Sequence, residues 1–281
     1  MKRLLVLALV AMAAVSCGPK KENQKEAPKA ETPKVLVLYY SQTSNTKVVA
    51  TEIATRIGAD IEEIVPTKPY DEDFQATIER CKQDREQGIT PEIQPLAADI
   101  AKYDVVFLGY PVWFGTYAPP VITFLSQVDL SGKKVVPFCT FGSGGLESSM
   151  KDLAEAQPKA EILPGYGVRA ARLEAAPKEI DQFLKASGFL EGEFVKLEDF
   201  SEQHPVNEEE TAIFNAAVDG YQMLHAQAKA VASRTIPGGT EYLFTAEDLP
   251  REDNPGMPTG ELKVYVTVAE GENPVFTRVV R

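Results

Sequence analysis

With 281 residues, 44% of them apolar and 25% charged, the chain can hold one large domain or two ordinary ones and has a globular composition. Its 41 acidic against 29 basic side chains give a formal net charge of −12. An acidic body repels phosphate backbones, so no nucleic acid is expected as a partner.

Basic residues outnumber acidic ones only at the N-terminus, 7 against 3 over residues 1–34. Lys2 and Arg3 precede an apolar run over 4–15, roughly half the ~20 residues that span a bilayer. Ala13, Ala14 and Ser16 then lead into Cys17, the pattern of a secretory signal rather than a transmembrane helix. The small residues stopping at a cysteine resemble a lipobox, with Ala14 where leucine is usual. That resemblance implies cleavage before Cys17, lipidation of Cys17 and anchoring through several acyl chains, which hold where one is marginal. The alternative is a plain secretory signal with an incidental cysteine. Residues 1–17 are thus expected as a lipoprotein signal peptide and 18–33, polar and without large apolar side chains, as a flexible linker. Export to the cell envelope means an oxidising compartment. Cys81 and Cys139 are expected as structural thiols rather than a bridge, and two histidines alone cannot build a metal site, so none is expected.

From residue 34, strand and helix patterns alternate. The run 35–40 is continuously apolar, as in a strand buried on both faces. A helix follows over 45–57, a short strand over 61–65, an exposed helix over 71–87 and a third strand over 105–109. Pro119 and Pro120 open a helix over 118–125, in the first turn where proline is tolerated. A fourth strand is expected over 134–139, a helix over 146–155, a fifth strand from 161 and a closing helix over 177–187 ended by Gly188. Five strands alternating with helices predict a doubly wound, five-stranded parallel α/β sheet over residues 34–190.

Residues 191–206 are acidic and irregular, an expected linker. Asn207 with Glu210 reads as a capping box opening a second, α+β module over 207–281. Ile213, Phe214, Ala217, Tyr221, Leu224, Ala228 and Val231 follow at spacings of three and four, which predicts one helix running to Pro237. Strands are expected at 242–244, 262–268 and 275–280, with a proline-rich loop over 250–258 between the first two.

Open α/β sheets bind ligands at the carboxyl ends of their strands, and three such ends have unusual composition. Ser41, Gln42, Thr43, Ser44, Asn45 and Thr46 offer four hydroxyls and two amides at a helix N-terminus. There free N–H groups and the helix dipole suit a phosphate; an ordinary N-cap would need only one such residue. Tyr110–Thr116 holds the chain's one tryptophan; Pro111, Val112, Trp113, Phe114 and Gly115 could pack on a planar ring or merely plug the helix below. Thr140, Phe141, Gly142, Ser143, Gly144 and Gly145 form a loop rich in backbone donors, or a flexible turn.

Together these segments resemble the flavodoxin family. The family motif Thr/Ser-x-Thr-Gly-x-Thr stands here as Ser41-Gln42-Thr43-Ser44-Asn45-Thr46, with Ser44 in place of glycine. The 110–115 stretch is similar to the loop that meets the isoalloxazine ring in short flavodoxin-like proteins, and 140–145 to the last flavin loop. The resemblance implies the strand order 2-1-3-4-5 for the parallel sheet. It also implies non-covalent FMN, its phosphate held by Ser41, Thr43, Ser44, Asn45 and Thr46. Trp113 would stack on or cover the ring, the backbone near Phe114 and Gly115 would tune it, and Phe141 to Gly144 would meet its other edge. No side-chain acid or base is demanded, so no catalytic residue is expected. The chain is read as an FMN electron carrier, or an NAD(P)H- or quinone-linked oxidoreductase, working with a redox partner protein or quinone at the cell envelope. The alternative is a surface binding lipoprotein that keeps the scaffold without the cofactor. The C-terminal module resembles a cystatin-like fold in its order of helix, Ile236–Tyr242 and strands. The cystatin Gln-x-Val-x-Gly loop fails here at Thr235, which implies a structural or partner-docking role rather than protease inhibition.

Overall fold

The computed structural model describes residues 33–70, 73–221, 224–250 and 260–280. The signal-like segment, Cys17, the linker 18–32 and most of the proline-rich loop lie outside the described residues.

The first sheet is parallel. β1 (Val35–Tyr39) lies between β2 (Asp60–Glu63) and β3 (Val105–Trp113), and β3 lies beside β5 (Lys134–Phe141). The fifth position is shared by two short pieces, β6 (Glu161–Ile162) against the start of β5 and β7 (Tyr166–Arg169) against its end. The order is thus the expected 2-1-3-4-5, with the fifth strand interrupted. β4 (Thr116–Tyr117) folds back antiparallel onto the end of β3. The sheet is buried on both faces, which is why its strands read as unbroken apolar runs. Leu36, Leu38, Val106, Leu108 and Tyr110 point to one face, where Val121 and Phe124 of α3 (Pro119–Gln127) and Leu153 of α4 (Leu146–Ala156) cover them. Cys81 of α2 (Phe74–Glu86) joins that layer. Val37, Tyr39, Val105 and Phe107 point to the other face, under Val49 and Ile53 of α1 (Asn45–Ile57) and Ile180 and Leu184 of α5 (Ala176–Ala186). Cys81 and Cys139 are both buried free thiols.

The second sheet is antiparallel, five strands in the order β12-β11-β10-β9-β8. These are β8 (His204–Pro205), β9 (Ala226–Ile236), β10 (Gly239–Asp248), β11 (Glu261–Ala269) and β12 (Val275–Val280). α6 (Glu208–Val218) packs Phe214 against Val231, Phe244, Val264 and Phe276.

Two expectations are corrected here. The long C-terminal helix does not form: α6 stops at Val218, Gly220 turns with φ 69, and 226–236 is a strand. The capping box from Asn207 and Glu210 is present, but it secures only this short helix. Pro237 and Gly238 make a two-residue hairpin turn, with Gly238 at φ 79, that aligns Ile236 with Gly239. Cross-strand pairing along β10 then outweighs the helix propensity of the alanines between 226 and 232. The expected linker 191–206 is not wholly irregular either. Ser201 N–H donates to the Ser233 carbonyl at 2.8 Å, and His204–Pro205 is the edge strand of this sheet.

Candidate functional site

The chain leaves β1 on one side to form β2, then crosses to the other side for β3, so the order reverses between β1 and β3. A crevice at the carboxyl ends of these strands follows from that reversal. All three unusual segments lie there.

The first segment turns from β1 into α1. Ser44 is the N-cap in the left-handed conformation, φ 65, and its own side chain makes no capping hydrogen bond. The N–H groups of Asn45 and Thr46, which have no carbonyl partner within the helix, remain donors for an anion, whereas that of Lys47 is taken by Ser41. A left-handed N-cap suits glycine far better than serine, which gives the glycine of the flavodoxin motif a local reason. Thr43 and Ser44 are exposed, Ser41, Gln42 and Asn45 are half-buried and Thr46 is buried. Ser41 Oγ accepts from Lys47 N–H at 3.2 Å, and Tyr40 donates to Gln42 Oε1 at 2.6 Å.

The second segment is less of a loop than its composition suggests. Pro111, Val112 and Trp113 continue β3, and only Phe114 and Gly115 turn, pairing Trp113 with Thr116. Both turn residues have positive φ, 52 and 83, the signature of the tight hairpin turn whose twist matches its strands. Glycine adopts this freely, but for phenylalanine it is strained, and such strain gathers at working sites. Phe114 stands exposed with the Arg85 guanidinium 5.1 Å from its ring centre. Trp113 is half-buried, edge-on to Tyr40 at 5.9 Å and Tyr70 at 5.1 Å. Tyr40, Tyr70 and Arg85 were not singled out from the sequence; Tyr40 ends an apolar strand and reads there as core.

The third segment is also partly strand, because β5 extends through Thr140 and Phe141. Phe141 is buried against Gly167 and leaves its backbone for any ligand. Gly142, Ser143, Gly144 and Gly145 form the loop proper.

Three contacts tie the segments to one another. Thr46 Oγ1 and Thr140 Oγ1 share a buried 2.8 Å hydrogen bond, joining the first to the third. A Cβ on Gly145 would lie 2.5 Å from Val112 Cγ1, so the second and third touch where only glycine fits. The Tyr40–Trp113 edge contact joins the first to the second. The result is one surface with uncharged donors at one end and aromatic and small residues at the other. That donor set fits a phosphate ester carrying a flat ring.

None of the residues 41–46, 110–116 or 140–145 carries an ionisable acid or base other than Tyr110. Burial pushes the Tyr110, Tyr40 and Tyr70 hydroxyls well above the usual tyrosine range, so they stay protonated. Among the described residues no group of three His, Cys, Asp or Glu side chains could hold a metal. The site can therefore bind and orient, while proton transfer through its own side chains has no candidate.

Comparison with known proteins agrees with this geometry. Residues 34–183 match the model of the family described as flavodoxin. Three solved structures are similar over about half of the chain. One, described as a flavoprotein from Bacteroides eggerthii DSM 20697, is 29% identical, covering 55% of this chain and 98% of its own, with a TM-score of 0.49. A flavoprotein in complex with FMN from Lactobacillus acidophilus NCFM is 28% identical over 48% and 93%, TM-score 0.44. Oxidised flavodoxin 2 from Bacillus cereus is 20% identical over 56% and 97%, TM-score 0.38. No curated protein matches the chain. The family model carries the assignment, and it ends before the antiparallel module begins.

Proposed function

Because the chain belongs to the flavodoxin family, we propose that it is an FMN-dependent electron carrier, held at the cell envelope by a lipid on Cys17. The observation that carries the cofactor reading is the linkage of three strand-end segments around one uncharged surface, through Thr46–Thr140, Val112–Gly145 and Tyr40–Trp113. FMN, when bound, supplies one- and two-electron chemistry that side chains lack.

The chain's own residues bind, orient and shield. The opening N–H groups of α1 and the hydroxyls of Ser41, Thr43 and Ser44 would hold the phosphate without a cation, helped by the helix dipole. Trp113, braced by Tyr40 and Tyr70, and the strained Phe114 would bound the ring. Backbone donors at Gly142–Gly144 would meet its far edge. With Tyr110, held protonated by burial, as the one ionisable side chain among these segments, electron transfer to a partner fits better than an oxidoreductase with its own proton chemistry. NAD(P)H is scarce outside the cytoplasm, so a membrane quinone or a redox protein is the proposed partner. No observation favours the cofactor-free alternative.

Two results are expected. The reduced, FMN-loaded chain should pass its electrons to a soluble quinone analogue in a stopped-flow mixing experiment, and Cys17→Ser should move the protein from the membrane to the soluble fraction. A bound flavin that no quinone or redox protein reoxidises would sink the carrier reading. A Cys17→Ser chain that stays membrane-bound would sink the anchor.

A further inference from the structure

We propose that the antiparallel module is a clamp on the last loop of the FMN site, and that Arg169 and Val279 are positioning residues for that loop. This rests on the FMN reading above. It gives the second module a role that the family match, ending at residue 183, does not reach.

The loop's successive carbonyls are both held, one from β7 of the parallel sheet and one from β12 of the module. The Gly142 carbonyl accepts from Arg169 Nε at 2.9 Å, and the Ser143 carbonyl accepts from the Val279 N–H at 2.7 Å. Arg169 ends β7, beside Phe141 in register. Its guanidinium also donates to the Phe276 carbonyl of β12 at 2.7 Å and lies over the rings of Tyr221 and Phe276, at 4.9 and 4.3 Å from their centres. One side chain thus fastens the flavodoxin loop and the second sheet together.

The glycine at 144 belongs to the same contact. A Cβ there would lie 2.0 Å from the Val279 carbonyl oxygen, so only glycine lets β12 approach. Beside Gly142 the nearest atom is the Tyr221 hydroxyl, 3.7 Å from where a Cβ would stand. The composition read from the sequence as a flavin-loop feature is therefore partly a docking feature of the module.

The functional consequence follows from peptide geometry. In a trans peptide the N–H points opposite to the carbonyl of the same unit. Fixing the Gly142 and Ser143 carbonyls toward Arg169 and Val279 turns the N–H groups of Ser143 and Gly144 away from those two residues, as pre-aimed donors. Donors fixed before binding need no reorganisation when charge develops on a ligand. The module thereby sets both ring affinity and the potential of the bound flavin.

Two variants of the full chain test this. Val279→Pro removes one outward-facing donor of an edge strand, a position that tolerates proline. Arg169→Gln removes the shared guanidinium and is the harsher change. Both are compared with wild type by titration with FMN and with riboflavin, by midpoint potential, and by amide exchange across Gly142–Gly145. In each variant that keeps the wild-type circular dichroism, FMN and riboflavin affinity should both fall about tenfold, because the ring contact is shared by the two ligands. The potential should shift in the same direction in both variants, and loop exchange should accelerate. A folded Val279→Pro chain with unchanged affinities, potential and exchange would overturn the clamp alone. A wild-type chain that binds no FMN would overturn the cofactor reading and the clamp's purpose with it.

Discussion

Gly109→Ala is expected to destabilise the flavodoxin part by about 3 kcal/mol, at the upper end of what overpacking a core costs. Gly109 sits mid-sheet in β3, level with Tyr39 of β1 and Phe138 of β5. A Cβ there would fall 2.1 Å from Phe138 Cζ and 2.3 Å from Cε2. The ring cannot step aside, because Phe138 is fully buried among Val136, Phe107 and the α5 residues Ile180 and Leu184. The strain should pass along β3 and β5 to their carboxyl ends, where the second and third segments begin. Urea unfolding should show a lower midpoint at unchanged slope. A midpoint equal to wild type would show that this part of the sheet is packed otherwise than described.

Gly144→Ala should act on the other side of the site. Here the colliding atom is the Val279 backbone oxygen rather than a rotatable side chain, so β12 or the loop has to move. The Val279 N–H to Ser143 carbonyl bond is then lost, at about 1 kcal/mol for the bond itself and more for any donor left buried without a partner. The expected result is a fall of at least tenfold in FMN affinity, together with earlier proteolytic release of the C-terminal module. Gly142→Ala serves as the comparison, since its Cβ meets only the Tyr221 hydroxyl at 3.7 Å, and it should be much milder. Equal effects from the two substitutions would contradict the assignment of Gly144 to the module contact.

The parallel sheet was legible because its signals are local. Continuous apolar runs mark strands covered on both faces, and helix patterns fall between them, so a doubly wound parallel sheet could be read locally, while its order 2-1-3-4-5 came from the family resemblance of the strand-end segments. Site composition was legible for the same reason, since six donors at one helix start exceed what capping needs. Strand ends were not. Trp113 and Phe141 lie inside strands because β4 and β7 pair with those ends, and pairing partners leave no mark on the residues themselves. The helix expected to run past Val218 failed for a related reason. A spacing of four suits a helix and a half-buried strand alike. The β-bulge opposite Thr245 and Ala246 lets Ala228 and Val231, three apart, both be buried, and the Pro237–Gly238 turn decides for the strand. Gly144 and Gly145 read from the sequence as part of a donor-rich flavin loop, yet each is glycine because of a neighbour distant in sequence, Val279 and Val112. Arg169 carried no sequence signal at all; its contacts with Phe276 and Tyr221 exist only once the two sheets meet.

The central claim is that Ser41–Thr46, Pro111–Gly115 and Thr140–Gly144 form one FMN site. Titrating the full chain into FMN while following flavin fluorescence tests it most directly. The account predicts saturable one-to-one quenching, tighter for FMN than for riboflavin because only FMN carries the phosphate that the start of α1 would hold. Fluorescence that does not change with added protein, or equal affinity for the two flavins, would contradict it.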